Sequence, residues 1–227
     1  MRTINRENIM KAINKGQVNH SNYRKALALA RERLREADFA LQCQRAGAEV
    51  VEPEADHALA RIKFIGANYL VDFPSGEVRR EGLDEEPLPY DRIIILHYLV
   101  HARGAELTGE LISFQQIPDG WLYYPAFRKR TTSILARTFR GEVEDFMKAG
   151  LAVAAVPSAL GQYALEIRAL PKVSCHLIMW PGDDELDTDF SCVFDRSITD
   201  YLPAEDITVL AGVITSRLVQ NSKRGPR

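Results

Sequence analysis

The chain has 227 residues, of which 46% are hydrophobic, enough for one sizeable core or one domain with a small helical addition. Its 29 lysines and arginines nearly balance 31 aspartates and glutamates, so the formal net charge is −2. General nucleic-acid binders are usually basic, which argues against that class. The sequence has no apolar run of the ~18 residues that a membrane span needs, and residues 1–16 lack the apolar core of a signal peptide. We therefore expect a cytoplasmic protein that binds neither nucleic acid nor membrane.

The three cysteines, Cys43, Cys175 and Cys192, lie far apart, and the sequence contains no CxxC pair. This argues against a structural zinc ribbon and against a self-contained four-cysteine iron–sulfur cluster, because both need four ligands. An odd number of cysteines without an export signal is typical of reduced thiols.

The first half of the chain predicts two helices followed by strands. Residues 21–36 carry apolar side chains at spacings of three to four, and residues 37–46 form a second short helix that ends at Gly47. The segment VEPEAD (51–56) is typical of a loop. The runs ALARIKFIG and NYLVDF then predict two strands of a meander.

After a polar loop with two prolines, Asp91 is expected to cap a strongly apolar helix that ends at Gly104. Further along, Pro125 is expected to open a basic amphipathic helix, AFRKRTTSILARTFRG, and residues 142–149 form another. Residues 161–168 predict a strand. The runs VSCHLIMW and FSCVFD predict a β-hairpin with an acidic turn, and a last helix covers about 205–219.

Strands and helices thus come in blocks, which predicts an α+β fold: an antiparallel sheet with flanking helices and an N-terminal helical annex. We divide the chain into an N-terminal helical segment (1–46), an α+β domain (47–220) and a flexible tail (221–227).

His97 and His101 are spaced i, i+4, so both project from one side of the apolar helix. This spacing can hold one metal ion, but the glutamate of the HExxH motif is missing, because Tyr98 follows His97. A neutral imidazole is also an axial ligand for haem iron or corrinoid cobalt. The alternative is structural: His97 forms a hydrogen bond inside the core, and His101 lies at the exposed end of the helix.

The loop from Asp183 to Asp189 places five carboxylates in seven residues. Its first three, Asp183, Asp184 and Glu185, are candidate ligands for a hard divalent cation such as Mg²⁺ or Ca²⁺. A solvated hairpin turn, whose charges discourage edge pairing, is the alternative.

Cys175 and Cys192 lie on the two strands of the predicted hairpin. A pairing of Trp180 with Asp187 places these cysteines opposite one another, where they can bind a soft metal ion or form a redox-sensitive disulfide. The alternative is that both are core thiols.

An aromatic run that includes Tyr124 is followed by the basic run from Arg128 to Arg130, and together these residues can stack a planar ligand or grip a phosphate or propionate. Cations near a helix N-terminus oppose the helix dipole, which favours an anionic ligand or an acidic partner. The alternative is a packed aromatic cluster followed by solvated charges. P-loop, Rossmann and GxSxG motifs are absent from the sequence.

From about residue 47 to 219 the chain resembles the family of domain of unknown function 3786. The resemblance rests on ILHYL (95–99), LTGELISFQQIPDG (107–120), YPAFRKR (124–130), WPGDDE (180–185) and VFDRSITDYLPAEDI (193–207). Such proteins occur mostly in anaerobic bacteria and archaea, and some carry an N-terminal iron–sulfur domain like that of the corrinoid iron–sulfur protein. The resemblance implies a neighbourhood in corrinoid or metal-cofactor metabolism, although this chain lacks the cysteine cluster.

Three functions stay open on these grounds. The first is a binding or accessory protein for a corrinoid, haem or other tetrapyrrole, with His97 as axial ligand and Arg128 or Arg130 on peripheral carboxylates. The second is an enzyme in which Asp183, Asp184 and Glu185 hold a divalent cation that activates water or a phosphate. The third is an interaction module whose aromatic and basic patch docks an acidic protein partner.

Overall fold

A computed structural model describes residues 20–53 and 57–223 of the chain. The α-helices are α1 (His20–Glu36), α2 (Phe39–Ala46), α3 (Pro89–His101), α4 (Gly120–Arg130), α5 (Thr132–Phe139), α6 (Val143–Leu151) and α7 (Ala204–Gln220). The strands are β1 (Glu49–Pro53), β2 (Ala58–Phe64), β3 (Ala67–Phe73), β4 (Val78–Arg80), β5 (Leu111–Ser113), β6 (Val156–Pro157), β7 (Ala164–Leu170), β8 (Val173–Trp180) and β9 (Asp189–Asp195).

The strands form two antiparallel sheets, and the fold is α+β as predicted. The first sheet has the order β1-β2-β3-β4, and the second has the order β5-β9-β8-β7-β6. A backbone hydrogen bond of 2.9 Å from Ile65 N to Ala169 O joins the turn after β2 to β7 of the other sheet. The sequence predicts a single sheet. The division into two sheets is not visible in the sequence, because it depends on contacts between residues about a hundred positions apart.

The two N-terminal helices are confirmed, with α2 capped at both ends. Asp38 accepts a hydrogen bond from Leu41 N, and Gly47 ends the helix in the left-handed conformation at φ 67°. β1 occupies part of the segment predicted as a loop, and residues 54–56 lie outside the described residues. A proline is tolerated at the end of β1 because this strand lies at the edge of its sheet.

The helix predicted to open at Pro125 begins five residues earlier, at Gly120, and is split into α4 and α5. Two tertiary contacts explain the early start: Gly120 has no side chain to clash with the Phe114 carbonyl, and Phe127 stacks on Phe114 with ring centroids 4.1 Å apart. Thr131 separates the two helices, and its hydroxyl donates to Phe127 O. Packing therefore outweighs the helix-opening preference of proline.

The hairpin of β8 and β9 is confirmed, but the predicted register is wrong by two residues. Trp180 pairs with Asp189 rather than Asp187, so Cys192 lies opposite Leu177. The turn is longer than expected because the Asp183 side chain accepts hydrogen bonds from the backbone N–H groups of Glu185 and Leu186. A shift of two keeps each side chain on its face, and the Sγ atoms of Cys175 and Cys192 are still 3.4 Å apart.

The helix α7 lies at the centre of the helical layer, and most of its residues are buried. It packs against α3, α4, α5 and α6. The residues just after it are packed rather than free: Ser222 is buried, and Lys223 N donates to Asp145 Oδ1 at 2.8 Å. Residues 224–227 of the expected tail lie outside the described residues. Among those described, no helix combines the length and apolar composition that crossing a bilayer requires.

Candidate ligand-binding cavity

A cavity of about 650 Å³ lies where α1, the first sheet, the loop 81–88 and the helices α3 and α7 meet. We call it the α3–α7 cavity. Its walls include the apolar side chains of Ile65, Ala67 and Val213. Leu83 and Leu88 also line it, and they are 49% and 53% exposed. The cavity therefore has apolar walls and leucines that remain accessible to solvent.

One polar part of the wall is an ion pair between the two helices, made by a buried aspartate and a half-buried arginine. Arg217 Nη2 donates to Asp91 Oδ2 at 2.7 Å, and the Tyr69 hydroxyl donates to the same oxygen at 3.0 Å. Arg217 also lies over the Phe64 ring, 5.1 Å from its centroid. Asp91 stands in the first turn of α3, where the helix dipole favours an anion, and Arg217 stands in the last turn of α7, where it favours a cation.

Asp91 is the buried member of the ion pair. Its side chain is only 4% exposed, and burial raises the pKa of its carboxyl above the usual range, although Arg217 and Tyr69 act in the opposite direction. Its second oxygen, Oδ1, is buried and accepts no hydrogen bond from the described residues. A buried acceptor without a donor is costly, so this oxygen marks a place where a donor is missing.

Arg80 on β4 is a second polar group of the cavity wall. Its side chain is exposed and makes neither an ion pair nor a hydrogen bond with the part of the chain that the structure describes. Its charge nevertheless reaches Asp91, because it helps to lower the pKa of that carboxyl. Arg80 also lines a neighbouring cavity of about 600 Å³, together with Arg79.

Neither Asp91 nor Arg217 is a predicted site residue. Asp91 is expected from the sequence only to cap its helix, which in fact begins two residues earlier at Pro89, and Arg217 belongs to a helix that shows no motif. The one available signal is an arginine in an otherwise apolar helix, because such a cation needs a partner when it is buried. Its partner lies 126 residues earlier in the chain, so sequence spacing does not reveal it.

His97 and His101 lie together on α3, but neither is among the residues that line the α3–α7 cavity. His97 Nδ1 is 2.8 Å from Asp206 Oδ2, and the two imidazole rings meet edge to face with centroids 5.6 Å apart. Burial, followed by the charge of His97, lowers the pKa of His101, and its Nδ1 has no partner among the described residues. The sequence does not predict that Asp206 is the carboxylate partner of His97.

The basic residues of α4 are not among those that line the α3–α7 cavity. Arg128 is exposed, and Tyr124 is half-buried against the core. Arg130 is half-buried, and its charge acts on Tyr90, a cavity residue, whose pKa is raised by burial and lowered by Arg130. Among the predicted ligand-binding residues, Arg130 thus acts electrostatically on a residue of the cavity wall.

The acidic loop is exposed at Asp183, Asp184 and Glu185. Hydrogen bonds from the backbone N–H groups of Glu185 and Leu186 lower the pKa of Asp183, which serves the turn itself. Within residues 20–53 and 57–223 there is no group of three or more histidine, cysteine, aspartate or glutamate side chains placed to hold a metal ion. The predicted site residues thus lie on α3, on α4 and in the β8–β9 turn rather than in one site.

A family model described as domain of unknown function (DUF3786) matches residues 38–217. Comparisons with curated proteins and with solved structures returned no match. The match covers most of the chain, including α3, the acidic turn and most of α7. The chain therefore belongs to the DUF3786 family.

Proposed function

We propose that this protein is a small-molecule-binding protein whose ligand occupies the α3–α7 cavity. The observation that carries the proposal is the Asp91–Arg217 pair, with its buried carboxylate, in the wall of a cavity of about 650 Å³. Ligand sites in proteins are commonly concave, of this size, mostly apolar and equipped with few polar groups. The apolar side chains of Ile65, Ala67 and Val213 lie beside the ion pair in this cavity, and several further polar residues also line it.

The energetics of the ion pair support the same proposal. Removing two charges from water is costly, and a buried pair is on average no more stabilising than apolar residues of the same volume. Apolar side chains at this position would thus stabilise the fold about as well as the carboxylate of Asp91. We infer that the carboxylate has another role, which is contact with a ligand. Such a role agrees with the binding or accessory function expected from the sequence.

The proposal is tested by filling the cavity. Ser216 lies in its wall on α7 and is half-buried, so a Ser216→Trp side chain would occupy the ligand volume. We would record amide NMR spectra of the full chain with a soluble fragment library. We expect saturable shifts at cavity residues that Ser216→Trp abolishes and that Ser133→Trp, a matched half-buried serine on α5, leaves intact. Fragment binding that survives Ser216→Trp, or no binding at all, would contradict the proposal.

A second function, tetrapyrrole binding, is favoured by the hydrogen bond between His97 and Asp206. Histidines that bind metals commonly place their other ring nitrogen against a carboxylate, which orients the ring. With Nδ1 occupied in this way, Nε2 is the nitrogen that an axial bond would use. The donor chemistry fits an axial ligand, whereas the α3–α7 cavity is not at this histidine, so a corrinoid or haem would bind at a different surface.

The test of this second function is a titration with haem and with cobalamin under anaerobic conditions, followed by UV–visible absorbance. We expect a saturable shift that is lost in His97→Ala and kept in the neighbouring His101→Ala. Charge reversal of Arg128 and Arg130 should weaken the binding if these residues meet the peripheral carboxylates. Equal spectra for the parent protein and His97→Ala would contradict it.

A further inference from the structure

The inference in this subsection rests on the proposed function and concerns how a ligand enters and leaves the α3–α7 cavity. The loop 81–88 lies between this cavity and the neighbouring cavity of about 600 Å³. The residues that line both cavities are Arg80, Leu83, Glu85, Glu86 and Pro87. The loop therefore has unfilled space on two sides, which leaves it few packing contacts.

The middle of this loop, residues 82–86, is also held by few hydrogen bonds. Within the described residues its backbone makes one backbone hydrogen bond, from Leu83 N to Arg80 O at 3.3 Å. Gly82 adopts φ 76°, and a Cβ placed on it would meet no atom within 4 Å beyond its chain neighbours. We call residues 82–86 the lid segment.

Both ends of the lid segment are fixed. On one side Glu81 N donates to Asn68 O at 3.0 Å, and the Glu81 carboxylate accepts hydrogen bonds from Arg61 and Asn68. On the other side Leu88 O accepts a hydrogen bond from Asp91 N at 3.0 Å, in the first turn of α3. A short segment with few contacts between two fixed ends can move as a unit.

One ion pair ties the lid segment itself to α3. The Arg92 guanidinium donates to the Glu86 carboxylate, and Arg92 Nε donates to the Tyr23 hydroxyl at 3.2 Å. The Arg92 side chain is 15% exposed, whereas the Glu86 side chain is 73% exposed. An ion pair with an exposed partner stabilises weakly, because water solvates the charge when the pair separates. Glu86 can therefore leave Arg92 at little cost.

Leu83 makes the position of the lid segment sensitive to a ligand. It lines the α3–α7 cavity but is half exposed, as is Leu88 at the fixed end of the loop. A ligand in the cavity would cover the exposed apolar surface of Leu83, which favours the position in which Glu86 is paired with Arg92. In the absence of a ligand, the neighbouring cavity leaves room for the segment to move away.

We infer that the lid segment opens and closes the α3–α7 cavity, with the Glu86–Arg92 ion pair as its latch. In the latched position Leu83 forms part of the cavity wall and narrows the entrance. When Glu86 leaves Arg92, the segment moves into the neighbouring cavity and the entrance widens.

The test measures how fast a thiol inside the α3–α7 cavity reacts. Val213 lies in the cavity wall and is 9% exposed, so Val213→Cys places a thiol there without adding volume. We would follow the reaction of the full-length variant with a disulfide reagent by absorbance. The three native cysteines are buried and act as an internal control, because their labelling would report unfolding.

Two further changes in the Val213→Cys protein should act in opposite directions. Glu86→Gln removes the latch and should raise the labelling rate by up to about fivefold, as expected for the loss of an exposed ion pair. Leu70 is half-buried and lines the neighbouring cavity but not the α3–α7 cavity. Leu70→Trp fills the space that the open segment needs and should lower the rate about twofold or more. General destabilisation would raise the rate in both variants.

Glu77→Gln is the matched control for Glu86→Gln. Glu77 is an exposed glutamate that lines the neighbouring cavity but not the α3–α7 cavity, and it forms no ion pair with the residues that the structure describes. Its rate should equal that of Val213→Cys alone. Equal rates for Glu86→Gln and Glu77→Gln, or a faster rate in Leu70→Trp, would overturn the inference.

The result also separates this inference from the proposed function. If fragments bind in the cavity but the labelling rates do not respond, the cavity is a ligand site without a lid, and only the inference falls. If the rates respond as expected but no fragment binds, the lid segment moves and only the proposed function falls.

Discussion

The guanidinium of Arg217 and the carboxylate of Asp91, 2.7 Å apart, join the last turn of α7 to the first turn of α3. This pair lies in the wall of the α3–α7 cavity and is held on one side by the Tyr69 hydroxyl. It therefore connects the first sheet, through Tyr69, with the helices α3 and α7. The contact holds this part of the cavity wall together, although neither residue belongs to a sequence motif.

We expect Arg217→Ala to destabilise the fold by about 3 kcal/mol, because it leaves a buried carboxylate without its cation. Urea unfolding followed by circular dichroism would measure the loss. Arg79→Ala removes an exposed arginine from β4 and should change the free energy of unfolding by less than about 0.5 kcal/mol. Equal losses for the two variants would show that the Asp91–Arg217 pair does not stabilise the protein.

The pH dependence of stability should contain a contribution from Asp195. Burial alone would raise its pKa, but hydrogen bonds from Ser197 and Thr108 outweigh burial and lower the pKa to about 2. Because the folded pKa lies below the usual 3.8, the stabilisation is present above pH 3.8 and is lost as the pH falls towards 2. We expect Asp195→Asn to lower the free energy of unfolding by about 2 kcal/mol at neutral pH.

The check on Asp195 is a series of urea denaturations of both proteins from neutral pH to the lowest pH at which they fold. The difference between Asp195→Asn and the parent should shrink as the pH falls below 3.8. A difference that stays constant over this range would mean that the stabilisation does not depend on the carboxylate charge.

Two glycines in helices should respond differently to replacement by alanine. A Cβ on Gly120 would lie 2.0 Å from the Phe114 carbonyl oxygen, a backbone atom that cannot move away cheaply. Gly120→Ala should therefore destabilise the fold by more than about 2 kcal/mol. The nearest atom to a Cβ on Gly212 of α7 is 3.9 Å away, so Gly212→Ala should be neutral or stabilise by up to about 1 kcal/mol. Thermal unfolding of both variants measures the contrast, which would be absent if α4 did not approach Phe114 so closely.

The three cysteines should be unreactive in the folded protein, because all three are buried. Burial raises the pKa of Cys43 to about 12, and burial together with the neighbouring Cys175 raises the pKa of Cys192 as well. The reactive thiolate is therefore scarce. We expect a disulfide reagent to label no cysteine in native protein and all three in denaturant, as counted by absorbance. Lys63→Cys, at an exposed position of β2, is the positive control, and rapid labelling of a native cysteine would contradict the burial.

Local patterns predict most of the elements correctly. The helix at residues 20–36 and the hairpin of β8 and β9 follow from periodicities of three to four and of two, which depend only on neighbouring residues. The start of α4 does not, because Gly120 and Pro125 each argue for a break and the stacking of Phe127 on Phe114 overrides both. The hairpin register also depends on tertiary detail, namely how many residues the Asp183 turn contains.

The sequence alone determined the α+β class, the pairing of His97 with His101 on one side of a helix, and the position of the acidic turn, because each depends on residues that are close in the chain. Only the tertiary structure decided which polar residues share a site. Asp91 and Arg217 meet because α3 and α7 pack together, and His97 meets Asp206 for the same reason. Contacts between distant helices depend on the packing of whole faces, and no local spacing records which residues of those faces will touch.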